Sequence, residues 1–220
     1  NLKDNYYYPS NTGNLKEAIK NLYRTLRKIK KDIRKKLDLP DNSFLVGYVG
    51  GFRSIGMEKG LDTMIKAIPN ISENITMVFV GGLKQEIEEY KILAKRLGVE
   101  EKCLFVERQK GIEKVVEYEI AMDTLVIPYP DRHHFRDYGF PMKVWEYMAS
   151  GRPIIYSDLE IMSEVLKNRG VSFKPDDAKS LSKAISFIYQ GVDEAEKIAS
   201  RNIVDIEAYT WKARASNILN

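Results

Sequence analysis

Cysteine is almost missing from this sequence: Cys103 is the only one among 220 residues. No disulfide can form within the chain, which fits a reducing compartment. Its neighbours Leu104, Phe105 and Val106 mark the thiol as a small buried hydrophobe. No apolar run approaches the roughly 18 to 20 residues that a helix needs to span a bilayer. The amino terminus, Asn1-Leu2-Lys3-Asp4-Asn5, has neither a signal-peptide core nor an initiating Met, so a piece of a longer chain is expected. Histidine is confined to His133 and His134, an adjacent pair that makes a poor metal site without a third ligand. There is no Asp-x-Asp, no internal repeat and no low-complexity segment. Charge of one sign is scarce as well: the formal net charge is +4, with 30% charged and 44% hydrophobic residues. That is an ordinary soluble globular composition, which excludes disorder, collagen and a disulfide scaffold. The expected localisation is cytoplasmic, and no nucleic-acid partner is expected.

The charge that is present is uneven. Between Asn14 and Leu37 ten basic residues face two acidic ones, Glu17 and Asp32, so the rest of the chain is net acidic. Within that segment Leu15, Ile19, Leu22, Leu26, Ile29, Ile33 and Leu37 recur at helical spacing, and Pro40 ends the pattern. Two readings stand: a helix packed through this stripe with its basic face in solvent, or a peripheral contact with anionic lipid at the inner face of a membrane.

After Pro40 short apolar runs alternate with amphipathic stretches. Phe44 to Val49, Met77 to Val80, Leu104 to Val106, Leu125 to Ile127, Ile154 to Tyr156 and, more weakly, Val171 to Phe173 predict six strands. Helical stripes lie between them: Leu61, Met64, Ile65 and Ile68; Ile87, Tyr90, Leu93, Ala94 and Leu97; Val144, Tyr147 and Met148. Continuous apolar strands joined by helices predict an α/β fold, a Rossmann-like doubly wound parallel sheet of about six strands. We divide the chain into a segment with the basic helix (1–40), the Rossmann-like domain (41–205) and a carboxyl-terminal helix (206–220).

Ligands of such sheets bind beyond the carboxyl ends of the strands. The first run ends in Gly50-Gly51-Phe52-Arg53 and continues to Glu58-Lys59-Gly60. Glycines with Arg and Lys before a helix suit an anion, although Gly pairs after strands also serve as plain turns. The second run ends in Gly81-Gly82 without the Lys-Ser or Lys-Thr of a P-loop, and neither place has G-x-G-x-x-G spacing. Further along, Pro128-Tyr129-Pro130 leads into a polar loop, then Tyr138-Gly139-Phe140-Pro141-Met142-Lys143 opens a helix. Pro141 suits the first helical position. Glu146 on that helix either accepts paired sugar hydroxyls or is a solvated surface carboxylate.

The run Gly-Phe-Pro-x-Lys-x-x-Glu-Tyr-Met-Ala-x-Gly-x-Pro, residues 139 to 153, resembles the donor-site signature of the group 1, retaining, GT-B glycosyltransferases, family four of their sequence classification. The resemblance extends over about residues 41 to 218 and the first ten residues, where Asn1 to Asp4 and Tyr8-Pro9 resemble the segment leaving the amino-terminal domain. Tyr209 to Ala215 is similar to the family's late aromatic and basic helix, and the Arg53 to Lys59 separation matches its diphosphate-binding pair. The resemblance implies the carboxyl-terminal half of a GT-B enzyme, binding a nucleotide-diphosphate sugar without a metal or other cofactor. Arg53 and Lys59 would be its catalytic cations and Glu146 its ribose contact. Gly51, Gly139, Phe140, Pro141, Met142 and Lys143 would line the diphosphate and sugar, and Glu107, Arg108 and Pro128 the base. The implied partners are the nucleotide-sugar donor, an acceptor of undefined class and the amino-terminal domain of the same chain.

The family's earlier glutamate, eight positions before Glu146, is replaced here by Tyr138, and Asp137 is one residue out of register. His133 and His134 in the same loop read either as a sugar or acceptor contact or as exposed polar residues. Two other readings remain beside the donor domain: another GT-B enzyme such as a sugar-nucleotide epimerase or a phosphorylase, and a non-catalytic nucleotide-sugar-binding module.

Overall fold

The computed structural model describes residues 28–72, 74–138 and 142–206. Six parallel strands form the central sheet: β1 (Phe44–Val49), β4 (Ile75–Gly82), β5 (Cys103–Glu107), β6 (Thr124–Ile127), β7 (Ile154–Ser157) and β8 (Val171–Phe173). Their spatial order is β5-β4-β1-β6-β7-β8. The chain starts in the middle, winds outward through β4 and β5, then crosses back to β6 and winds the other way. Sheet pairing confirms the parallel sense, with Tyr48 opposite Phe79 and Val126 opposite Ile155. All six expected strands are present. β4 is longer than its apolar run, beginning at Ile75 and carrying on through the Gly81-Gly82 pair.

Every residue of β6 and β7 is buried, as continuous apolar strands covered on both faces require. One face packs α2 (Leu61–Ala67), α3 (Lys84–Arg96) and α7 (Ala178–Gln190) against Val46, Tyr48, Met77 and Phe79. The other packs α4 (Ile112–Ala121), α5 (Met142–Ala149) and α6 (Glu160–Leu166) against Leu45, Val49, Val78 and Leu125. α8 (Val192–Asp205) follows α7. The two-residue strands β2 (Arg53–Ser54) and β3 (Met57–Glu58) form a small antiparallel hairpin that the sequence pattern did not suggest.

The basic helix, α1, is described over 28–36. Ile33 and Leu37 pack on the core, as the stripe predicts. The basic face, however, is not simply solvated. Arg34 is only 5% exposed and reaches the Ala121 carbonyl at 2.7 Å and Asp123 at 2.6 Å, where Lys30 joins it at 2.5 Å. The Leu45 N–H also donates to Asp123, at 2.7 Å. Burial raises the Asp123 carboxyl, but Lys30 and Arg34 outweigh that and hold its pKa below the ordinary value. Lys36 pairs with Glu117. Several of the basic residues therefore dock the helix rather than decorate it. Among the described residues no helix is long and apolar enough to cross a membrane. Most of the 1–40 segment and nearly all of 206–220 lie outside the described residues.

Candidate functional site

The direction of winding reverses between β1 and β6, and a reversal of this kind opens a crevice at the carboxyl ends of the two strands. On the β1 side the crevice is floored by Gly50 and Gly51. Two tyrosines hold that turn: the Tyr48 hydroxyl donates to the Gly51 carbonyl at 2.9 Å, and the Val49 N–H donates to the Tyr147 hydroxyl at 2.9 Å. Close packing explains the glycines. A Cβ on Gly50 would stand 2.4 Å from Lys143 Nζ, and one on Gly81, at φ +116°, would stand 2.4 Å from the Gly50 carbonyl oxygen. The second Gly pair is thus a packing feature that lets β4 and β1 end side by side. Across the crevice Pro128 is buried, and its carbonyl lies so near Gly60 that no side chain could be accommodated there.

Lys59 follows the β2–β3 hairpin, whose base is closed by the Lys59 N–H donating to Phe52 O at 3.2 Å. Phe52 is fully buried against Tyr90, ring centroids 5.6 Å apart, which fixes where the hairpin leaves the core. Burial lowers the Lys59 pKa, and the positive charges of Lys143 and Arg108 lower it further. Arg108 extends to within 3.8 Å of the place where a Gly51 Cβ would be. Among the described residues neither Lys59 nor Arg108 has an ion-pair partner, and Lys143 and Arg108, whose charges reach Lys59, stand against the Gly50-Gly51 turn. Lys143 is 12% exposed in its side chain; it donates to the Val49 carbonyl, meets Glu146 at 3.3 Å and lies 5.4 Å from the Tyr147 ring centre.

Arg53 does not join this cluster. It stands opposite Glu58 in the hairpin and its guanidinium is held by Glu58 at 3.2 Å and by Glu89 of α3 at 2.5 Å. These hydrogen bonds, Glu58 first, raise its pKa. Of the two cations that the sequence pairs at the diphosphate, Arg53 is engaged by carboxylates and Lys59 is not. Glu146 keeps 40% of its side chain exposed and so retains lone pairs beyond the one Lys143 uses. Glu107 and Arg108 are exposed at the end of β5, and Met142 is 52% exposed at the start of α5. Gly139, Phe140 and Pro141 lie outside the described residues.

In the π-helical turn His134–Tyr138 before α5, Asp137 forms ion pairs with His133 and with Arg136, the latter at 3.4 Å. His134 meets Phe135 edge-on at 5.2 Å. Among the described residues no three His, Cys, Asp or Glu side chains are grouped to hold a metal. One buried carboxylate escaped the sequence reading. Glu119 on α4 is 2% exposed, and its Oε1 has no hydrogen-bond partner. The signal was there: Val115, Tyr118, Glu119 and Met122 share one helical face, so the carboxylate falls inside an apolar arc.

Comparison with known proteins bears on the family and the fold. The family model described as "Glycosyl transferases group 1" matches residues 43–191, more than half of the chain. The O-antigen chain mannosyltransferase RfbU of Salmonella typhimurium is 30% identical over 132 residues, covering 60% of this chain and 35% of that protein. The curated relatives it matches are therefore much longer, and the chain spans about a third of their length. Among solved structures, sucrose-phosphate synthase from Thermosynechococcus elongatus superposes with a TM-score of 0.72 at 24% identity, over 85% of this chain and 46% of that one. HepE of Anabaena, solved in complex with UDP-glucose, gives 0.67 at 20% identity, over 81% and 48%. Both likenesses concern the fold. Taken with the sheet order and the crevice at its reversal, the family match means that this chain belongs to the group 1 glycosyltransferases.

Proposed function

We propose that this chain binds a nucleotide-diphosphate sugar at the β1–β6 crevice and stabilises the diphosphate leaving group while the sugar passes, with retention, to an acceptor. The observation that carries this reading is the grouping of three cations within electrostatic reach of one another, with Lys143 and Arg108 against the Gly50-Gly51 turn and Lys59 and Arg108 without ion-pair partners among the described residues. Transfer breaks the bond from the anomeric carbon to a phosphate oxygen, and negative charge grows on that oxygen. Cations already aimed there stabilise the charge without reorganising. Fixed side-chain cations perform the service that a divalent metal gives elsewhere, so the reading includes metal independence. Glu146 accepts from the ribose hydroxyls. Arg53 joins the diphosphate by leaving Glu58 and Glu89, an exchange that exposed ion pairs permit at little cost. The acceptor side belongs to a partner domain of the longer enzyme, and the assigned compartment is the cytoplasm.

Calorimetric titration with UDP, GDP and ADP in metal-free buffer tests the reading. One nucleotide should bind, and Lys59→Ala should weaken it by about 10- to 100-fold, the range of a charge-assisted hydrogen bond. Absence of binding by all three would overturn it.

A further inference from the structure

Lys143 bridges two parts of the proposed donor site that lie on different elements. It stands second in α5, and its ammonium lies over the rings of both Tyr48 and Tyr147, 5.8 and 5.4 Å from their centres. A lysine ammonium has three N–H donors. One goes to the carbonyl of Val49, where β1 ends, and another meets the Glu146 carboxylate at 3.3 Å. The end of β1 is fixed from other directions as well. The Val49 N–H donates to the Tyr147 hydroxyl at 2.9 Å, and the Gly50 N–H donates to the Val80 carbonyl at 2.7 Å. Gly50 makes the approach of Lys143 possible, since a Cβ there would stand 2.4 Å from Nζ. Among the described residues no other side chain holds the Glu146 carboxylate.

We propose that Lys143 is a positioning residue, which acts on the ribose through Glu146 and ties that carboxylate to the Gly50-Gly51 turn, so that ribose and diphosphate are held at one spacing. The inference rests on the reading given above, which assigns the ribose to Glu146 and the diphosphate to the cations at the turn. A glutamate free in solvent loses rotamer freedom when it takes up a ligand, and that loss weakens binding. Glu146, held by an ammonium that is itself anchored on β1, has lost that freedom beforehand. An ionised carboxylate has about four lone-pair sites, so the one that Lys143 occupies leaves capacity for two hydroxyls. Lys143 and Tyr147, one turn apart on α5, both hold Val49, so the helix carrying Glu146 and the strand carrying the turn shift only together. A Lys143 that instead spent a hydrogen bond on the diphosphate would treat ligands with and without a ribose hydroxyl alike.

The test is titration of the whole 220-residue chain with UDP, GDP and ADP and with the 2′-deoxy form of each, without metal, repeated on Lys143→Met and Lys59→Ala. In the parent, the nucleotide that binds should lose about 10-fold or more in affinity when its 2′-hydroxyl is absent, the range of a hydrogen bond to a charged group. Lys143→Met keeps nearly the same length without a donor and should bring that ratio below about 3-fold, whereas Lys59→Ala should weaken both forms alike and keep the ratio. In a Glu146→Ala background, where the ratio is already lost, adding Lys143→Met should change it no further. Thermal melting checks the fold, and Lys143→Gln, one bond too short to span both partners, replaces Lys143→Met if that variant does not melt cooperatively. A ratio kept at the parent value in the Lys143 variant would place Lys143 on the diphosphate and overturn the positioning role while leaving the donor site standing. Equal binding of ribo and deoxy forms by the parent would overturn the ribose contact and this role with it. Binding of none of the nucleotides would overturn the whole reading.

Discussion

Burial pushes the Glu119 carboxyl up to about 7, with Lys143 opposing the shift and Glu146 adding to it, both from α5. In the unfolded chain the same group returns to its ordinary 4.5. Between these values the folded protein holds a proton that the unfolded chain has released, so stability falls as pH rises through that window and levels off above it. Glu119→Gln removes the penalty. Urea denaturation should show the variant gaining on the parent from about pH 4.5 to about pH 7, by up to about 3 kcal/mol, with no further gain at higher pH. A difference that does not vary with pH would refute the assignment. Individual site residues were only partly legible in the sequence. Spacing marked Arg53 and Lys59, but spacing along a chain does not say which carboxylates lie across space, and Glu89 of α3 engages Arg53. Lys143 was marked as a ligand contact, yet most of its reach is spent on the Val49 carbonyl and Glu146.

Elements with long apolar signals were readable, and those held by tertiary contacts were not. The six strands of the sheet are runs of β-branched and aromatic residues that water disfavours, so they announce themselves. The β2–β3 hairpin has two residues per strand, too few for any alternation to show. α4 was hidden because Glu119 interrupts its stripe, and α6 because only Met162 and Leu166 of its seven residues are buried. The basic helix α1 showed its stripe but not its anchor, since Asp123 is some ninety residues away in sequence. Removing that anchor tests how α1 is held. Asp123→Ala leaves Arg34 buried without its counter-charge and the Leu45 N–H without its acceptor, and should cost on the order of 3 kcal/mol in urea denaturation. Amide exchange in 28–36 should rise more than in β1 or β6. Uniform loosening of the whole sheet would mean that Asp123 supports the core and not the helix in particular.

At the scale of the molecule, the alternation of strand and helix made the doubly wound sheet predictable, while the winding order came only from the structure. That order decides function, because the reversal between β1 and β6 locates the crevice. On the proposed reading, in which the crevice serves the donor and a partner domain the acceptor, the chain should bind nucleotide without moving a sugar. Incubation with a bound nucleotide sugar and a panel of acceptors should release no nucleoside diphosphate above the uncatalysed rate, and measurable transfer would show that the acceptor machinery is here too. Cys103 has a further use on this scale. It is buried on β5, and burial followed by the charge of Glu100 pushes its thiol up to about 12, so folded protein offers alkylating dyes almost no thiolate. Ile55, at the tip of the hairpin that carries Arg53, is 84% exposed. Ile55→Cys would therefore accept a fluorophore at a single address against a silent background, and emission during a nucleotide titration would report, in real time, whether the arginine arm swings inward.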